Sequence, residues 1–156
     1  MNIHPVLEFR RLAPDLSPGL TLFFESLTTN RDDLVFHPHP FTAAEAMRLC
    51  SYTGQDLYLV AVCDGSVLGY GLLRGWDEGY AVPSLGIAVH PSARGTGLGA
   101  AFMQYLHAAA TARGAKSIRL KVYADNLRAK ALYERLGYLS AGESDRQLLY
   151  TLALGK

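Results

Sequence analysis

The residues with the clearest chemical potential form a glycine-rich segment, Arg94-Gly95-Thr96-Gly97-Leu98-Gly99-Ala100, near the middle of the chain. It follows an apolar run that Pro91 ends, and it precedes apolar residues at helical spacing, so we expect a strand, a loop and a helix start. The first turn of a helix offers unpaired N–H groups and the positive end of the helix dipole. With Arg94 adding a positive charge at its rim, the loop can cradle a phosphate, and a pyrophosphate is the simplest ligand.

Two other phosphate-binding loops have a similar composition. A P-loop requires Lys and Ser or Thr after its last glycine, and residues 98–101 supply neither. Gly95, Gly97 and Ala100 do fit the dinucleotide pattern G-x-G-x-x-A. However, four residues separate the strand from the first glycine, and no acidic residue ends a second strand about 20 residues later. Kinase or GTPase chemistry and a Rossmann site are therefore both disfavoured.

The loop resembles the acetyl-CoA-binding motif of the GNAT N-acetyltransferase superfamily, Arg/Gln-x-x-Gly-x-Gly/Ala, with Arg94, Gly97 and Gly99 at its defining positions. A second stretch, Asn126 to Tyr138, is similar to the family pattern Asn-x-x-Ala-x-x-x-Tyr-x-x-x-Gly-Phe/Tyr. Phe9-Arg10-Arg11-Leu12 also looks like the opening strand of that family. The two motifs in this order make the resemblance specific, and it extends over the whole chain.

The resemblance implies an acetyl-CoA-dependent N-acetyltransferase, in which a primary amine of a small molecule or peptide attacks the thioester directly. In the family, loop N–H groups hold the diphosphate, and the preceding strand pairs with the pantetheine arm while one of its N–H groups polarises the thioester carbonyl. The implied cofactor-binding residues are Ile87, Ala88, Val89, Arg94, Gly95, Thr96, Gly97, Leu98, Gly99, Ala100 and Asn126.

Tyr133 is the residue that the resemblance implies as general acid. A phenol has a pKa of about 10, so it is protonated at neutral pH and can donate to the departing thiolate of coenzyme A. Seven residues separate it from Asn126, which places both on one face of a helix. Outside the motif, an aromatic packed beside Ala129 and Leu132 would be the simpler interpretation, and Asn126 also reads as a helix N-cap.

The general base is where the sequence departs from the family pattern. Many relatives carry a Glu on the strand before the loop, where this chain has Pro83 and Ser84, and the following strand offers Lys121. Deprotonation would then rely on ordered water or on a group from elsewhere in the chain. The candidates are Glu25, His37, His39, Asp77 and Glu78.

The segment between the first two helices carries Phe36, His37 and His39, which we expect to form part of the acceptor wall, as in relatives. Alternate residues of an extended segment face the same way, so the two histidines also suggest a metal site. No third ligand is evident by spacing, and we therefore predict no metal.

Composition excludes several classes of function. A net charge of +1 without a cluster of basic residues argues against nucleic-acid binding. No apolar run approaches the length of a membrane span, and no signal peptide is evident, so we expect a cytoplasmic protein without a membrane partner. Cys50 and Cys63 lack metal-ligand spacing and read as buried free thiols. The sequence leaves open whether the protein forms a homodimer.

The elements predicted around these residues follow the order β-α-α-β-β-β-α-β-α-β-β. Short-range signals within this order are a capping box of Thr42 and Glu45 at the second helix, an Asp64-Gly65 hairpin turn, an alternating strand from Ser117 to Tyr123, and two closing strands at about residues 138–141 and 147–154. In 156 residues, about half of them apolar, this order predicts one mixed α/β domain spanning residues 1–156. The resemblance implies a mostly antiparallel mixed sheet of about seven strands, flanked by about four helices. Two alternative functions stay open: an acetyl-CoA-binding module with little turnover, and an acyltransferase that uses another acyl chain or acceptor.

Overall fold

The computed structural model describes residues 4–155, in which seven strands and four α-helices alternate in the predicted order. In chain order they are β1 (Leu7–Arg11), α1 (Ser17–Thr29), α2 (Ala43–Cys50), β2 (Leu57–Cys63), β3 (Ser66–Arg74), β4 (Ser84–Val89), α3 (Leu98–Ala112), β5 (Ser117–Tyr123), α4 (Leu127–Arg135), β6 (Leu139–Ser144) and β7 (Gln147–Ala153). Single 3₁₀ turns cover Pro14–Leu16, Asp32–Leu34 and Pro91–Ala93. None of the helices described has the length and apolar character of a membrane span.

The seven strands form one sheet in the order β1-β2-β3-β4-β5-β7-β6. Every neighbouring pair is antiparallel except β4 and β5, which run parallel. The predicted fold class is therefore confirmed. The parallel pair arises because α3 carries the chain from the end of β4 back to the start of β5, and it places the glycine loop at the middle of the sheet.

Local sequence signals explain several element boundaries. Asp64 and Gly65 adopt positive φ angles of 48° and 85°, which the tight turn between β2 and β3 requires. The Thr42 side chain accepts a hydrogen bond from the Glu45 N–H and starts α2 as a cap. The Glu45 carboxylate binds Arg48 instead of completing the predicted capping box.

The sheet separates two apolar clusters. One lies against α3 and α4 and includes Phe102 and Tyr133, and the other lies against α1 and α2 and includes Phe24 and Tyr70. On β3, a Cβ at Gly71 would come within 2.8 Å of the Phe102 ring, so this glycine lets α3 approach the sheet closely. The two layers of helices leave the β4–β5 junction as the site where ligands can enter.

Candidate active site

The central feature of the site is a gap between the parallel strands β4 and β5. The two strands pair at a single position, Ser84 with Arg119, and the Arg119 N–H donates to the Pro83 carbonyl at 3.1 Å. Beyond this point towards the C-terminal ends of the strands they diverge. β4 stays paired with β3 along its other edge, from Ser84 to Val89. The edge of β4 that faces β5 is thus open to a ligand.

Alternation along β4 determines which main-chain groups face this gap. The His90 N–H donates to Leu68 beside β3, whereas the Pro83 carbonyl faces β5. The N–H and C=O groups of successive residues point to opposite edges of a strand, so those of Ile87 and Val89 point into the gap. By the same alternation, the N–H and C=O of Ala88 face β3, in contrast to the expectation from the resemblance that Ala88 presents its backbone to the pantetheine arm.

The glycine loop offers a run of free N–H donors at the mouth of the gap. The N–H groups of residues 95–100 find no acceptor within the described part of the chain. Gly97 is the N-cap of α3 and brings no side chain to satisfy them. Six consecutive free donors beside the positive end of a helix dipole are suited to a diphosphate.

Backbone conformation explains why glycine occupies the loop. Gly95 and Gly97 have φ angles of 77° and 89°, which residues with a Cβ rarely adopt. The neighbouring side chains turn away: the Thr96 hydroxyl donates to the Ala93 carbonyl at 2.5 Å, and Leu98 is buried in the core. Thr96 and Leu98 can therefore contribute to a ligand only through their N–H groups.

Two arginines flank the loop, and they are positioned differently. Arg94 donates from Nη2 to Asp32 Oδ2 at 2.7 Å and from Nε to the Val89 carbonyl at 3.1 Å, so its charge is already partnered. Arg128, on the first turn of α4, brings its guanidinium within 3.7 Å of the position a Cβ would take on Gly95. Arg128 was missed at the sequence level, although it lies two residues after Asn126 in the second motif.

Tyr133 and Asn126 both lie on the wall of the gap. Tyr133 is 8% exposed, and its hydroxyl has no hydrogen-bond partner within residues 4–155. Burial raises the pKa of Tyr133 to about 12, so the phenol is protonated at neutral pH. Asn126 Oδ1 accepts from the Ala129 N–H at 3.4 Å, which confirms its N-cap role and leaves its amide NH₂ available.

The gap opens into a cavity of about 470 Å³. Most of the residues expected to bind the cofactor line it: Ile87, Ala88, Val89, Arg94, Gly95, Gly97, Gly99, Ala100 and Asn126. Phe36 also lines it, and its ring lies 3.2 Å from where a Cβ would project from Gly86. Asp32 is the only carboxylate on this wall among the described residues, so Glu25, Asp77 and Glu78 lie outside it.

His37 and His39 line a separate, smaller cavity beside Phe41. His39 Nδ1 donates to the Pro40 carbonyl at 2.9 Å, which leaves Nε2 to accept from the Tyr70 hydroxyl at 2.8 Å. Burial lowers the pKa of His39, which fits this neutral tautomer and a structural role. His37 Nε2 lies 2.8 Å from the Tyr123 hydroxyl and joins the α1–α2 segment to the end of β5.

A mixed sheet that splits between two central parallel strands, with a glycine loop leading into a helix at the split, is the architecture of the GNAT acetyltransferases. Residues 23–138 match the model of the acetyltransferase (GNAT) family, and the chain belongs to that family.

Solved structures share the fold across almost the whole chain. The acetyltransferase of the GNAT family from Streptococcus pneumoniae is 18% identical with a TM-score of 0.79, covering 96% of this chain and 100% of that chain. A GCN5-related N-acetyltransferase from Kribbella flavida is 24% identical with a TM-score of 0.78, covering 95% and 98%. The ribosomal-protein-S18-alanine N-acetyltransferase from Escherichia coli is 19% identical with a TM-score of 0.73, covering 97% and 96%.

Proposed function

We propose that the protein transfers an acetyl group from acetyl-CoA to the primary amine of a small molecule or peptide. One observation carries this proposal: a row of free loop N–H groups leads into an open strand edge, and the same cavity contains the unpartnered hydroxyl of Tyr133. These are a diphosphate cradle, a binding edge for an amide-bearing arm, and a proton donor. Acetyl-CoA carries a diphosphate, an amide-bearing pantetheine arm and a thiolate leaving group, which match these three features, and it also carries the activated acetyl thioester.

Main-chain N–H groups make most of the proposed contacts to the donor. The N–H groups of residues 95–100 hold the diphosphate, and Arg128 supplies the positive charge that Arg94 cannot, because Arg94 is paired with Asp32. Ile87 and Val89 offer N–H groups to the amides of the pantetheine arm. The Asn126 amide reaches the same cavity from the start of α4.

The chemical step requires charge stabilisation and the movement of two protons. The Ile87 N–H, which points into the gap, stabilises the negative charge that develops on the thioester oxygen; such donors contribute about 2.7–4 kcal/mol in other enzymes. As the C–N bond forms and the C–S bond breaks, Tyr133 gives its proton to the departing thiolate. The amine loses its own proton to water, since the carboxylate of Asp32 is bound to Arg94, and water then returns a proton to the Tyr133 phenolate.

Calorimetry and mass spectrometry test the proposal together. We expect coenzyme A to bind with an affinity that falls as salt increases, and we expect acetylated product from acetyl-CoA and a panel of amines. Binding without product on any amine would favour an acetyl-CoA-binding module, for which the absence of the strand Glu of many relatives is the supporting observation. Product only with longer acyl donors or with alcohols would point to a different acyltransferase. No binding would refute the proposal.

A further inference from the structure

Two basic side chains stand on one face of β5 beside the gap. Arg119 lies opposite Ser84 and donates from Nε to the Ser84 hydroxyl at 3.2 Å, while the ring of Tyr80 lies 5.5 Å from its guanidinium carbon. Lys121 is two residues further along the strand, so it points to the same face, and it lines the cavity. Both residues are exposed, in contrast to the buried neighbours that alternate with them.

Neither charge is neutralised by the protein. Within residues 4–155, no carboxylate lies within 4.0 Å of Arg119 or Lys121. Asp32, on the cavity wall, is bound to Arg94. Lys121 on the cavity wall and Arg119, two residues before it on β5 and just outside the lining, are therefore two uncompensated positive charges, and an anion placed between them would gain charge-assisted hydrogen bonds.

The phosphates of the donor are too far away to explain these charges. The glycine loop begins beyond Val89, and Ser84, opposite Arg119, lies five residues earlier on β4. At about 3.3 Å per residue, that separation from Val89 is roughly 16 Å for Arg119 and roughly 10 Å for Lys121, which lies two residues nearer the loop along β5. The remaining phosphate of coenzyme A is on its ribose, on the far side of the diphosphate from the thioester. The two cations consequently face the acyl end of the donor.

The acceptor reaches that end from the face that carries Arg119 and Lys121. The opposite face of the gap is covered by α3 and α4, whose side chains pack there in the cluster around Phe102 and Tyr133. On the other face, the ring of Phe36, from the segment between α1 and α2, lies over Gly86 of β4. An amine that enters between Phe36 and β5 passes directly beside the two cations.

We propose that the acceptor carries a carboxylate in addition to its amine, and that Arg119 and Lys121 bind this carboxylate. The inference rests on the proposed acetyl transfer and specifies its substrate class as amino acids and related acidic amines. Ser84 and Tyr80 hold the Arg119 guanidinium in place before any acceptor binds. Less side-chain entropy is therefore lost when Arg119 binds a carboxylate.

Steady-state kinetics with matched acceptors test this proposal. The acceptors are the protein amino acids, each with its carboxamide, at a fixed acetyl-CoA concentration. We expect the free acids to have a kcat/KM about ten-fold or more above that of their amides. Lys121→Met and Arg119→Gln should each lower kcat/KM for the acids about ten-fold, mainly through KM, and leave the amides almost unchanged. Lys121→Glu should reverse the preference.

Arg11→Gln provides a matched control, because Arg11 is an exposed cation on the edge strand β1, which three strands separate from β5. It should leave both classes of acceptor unchanged, and every variant should retain the melting temperature and coenzyme A affinity of the parent. Amides that react as well as the acids, or an acid preference that survives both neutral variants, would overturn the inference while leaving acetyl transfer intact. A protein that acetylates amines without a carboxylate but no amino acid would overturn this inference alone, whereas coenzyme A binding with no product on any amine would contradict both proposals.

Discussion

Arg94 Nη2 lies 2.7 Å from Asp32 Oδ2, and this contact ties the glycine loop to the segment between α1 and α2. Arg94 and Asp32 are 62 positions apart in the chain, and their side chains are 28% and 15% exposed, respectively. Arg94 also donates to the Val89 carbonyl at the edge of the gap. One arginine therefore connects the end of β4 and the glycine loop with the segment that carries Phe36.

A double-mutant cycle on this pair measures that connection. Arg94→Gln and Asp32→Asn should each lower the free energy of unfolding, and the double variant should lose less than the sum of the two. Because the pair is partly buried, we expect a coupling of about 1 kcal/mol in chemical denaturation. Additive losses would show that the contact contributes nothing to stability.

Arg128 and Arg94 should differ in their effects on the donor. Arg128→Gln removes a free charge beside the loop, so we expect coenzyme A affinity to fall about ten-fold and its salt dependence to weaken. Arg94→Gln removes a charge that Asp32 already neutralises, and it should change the affinity much less. Calorimetry at two salt concentrations compares them, and equal losses would count against this division of roles.

The cradle itself can be tested with two glycines at opposite ends of α3. Gly97 and Gly114 have φ angles of 89° and 86°, and a Cβ on either would contact nothing within 4 Å in the free protein. Valine at either position therefore imposes a similar backbone strain. We expect Gly97→Val to weaken coenzyme A binding and Gly114→Val, the control, to leave it unchanged. Similar coenzyme A affinities for the two variants would show that Gly97 is not part of the binding site.

Tyr133→Phe removes the proposed proton donor while keeping the ring in its apolar surroundings. We expect kcat to fall about 100-fold or more with little change in coenzyme A affinity, since only the transition state needs the proton. Steady-state kinetics and calorimetry on the same preparation separate the two effects. Turnover equal to that of the parent would exclude Tyr133 from the mechanism.

Stability should fall on mild acidification because of two buried histidines. Burial lowers the pKa of His39 and of His107 from 6.5, so between 6.5 and each lowered value the unfolded chain binds more protons than the folded chain. The free energy of unfolding should consequently decrease as pH falls below 6.5, with no contribution from these groups above it.

Urea denaturation across pH 5 to 8 would measure this decrease. The double variant His39→Gln, His107→Gln should be less stable at neutral pH, because the hydrogen bonds to Tyr70 and Tyr138 are altered, but its stability should depend less on pH. An unchanged slope would mean that other groups cause the acid sensitivity.

The sequence predicted those parts of the structure that depend on short-range signals. Asp64-Gly65 predicted the hairpin and Asn126 the cap of α4, because both act through their immediate neighbours. The alternation from Ser117 to Tyr123 gave the bounds of β5 without error. The second closing strand was found, but the first, predicted over residues 138–141, extends to Ser144, past an irregularity at Gly142 that a simple alternation does not show.

Long-range contacts could not be read from spacing. Arg94 was expected at the rim of a phosphate site, but Asp32, far away in sequence, binds its side chain. His39 was placed on the acceptor wall, but burial against Tyr70 gives it a different environment. Cys63 is half-buried rather than buried, since it ends β2 near the surface. Each of these outcomes depends on which elements meet in space.

The open edge of β4 has a consequence for how this protein can change over generations. Every residue except proline has an amide hydrogen, so substitutions at Ile87 or Val89 that avoid proline and preserve packing should keep the proposed contacts to the donor. In the proposed acceptor site, preference for one amine over another instead depends on a few side chains on β5 and between the first two helices. New substrates are therefore accessible by altering those positions alone, without rebuilding the part of the molecule that holds the acetyl source.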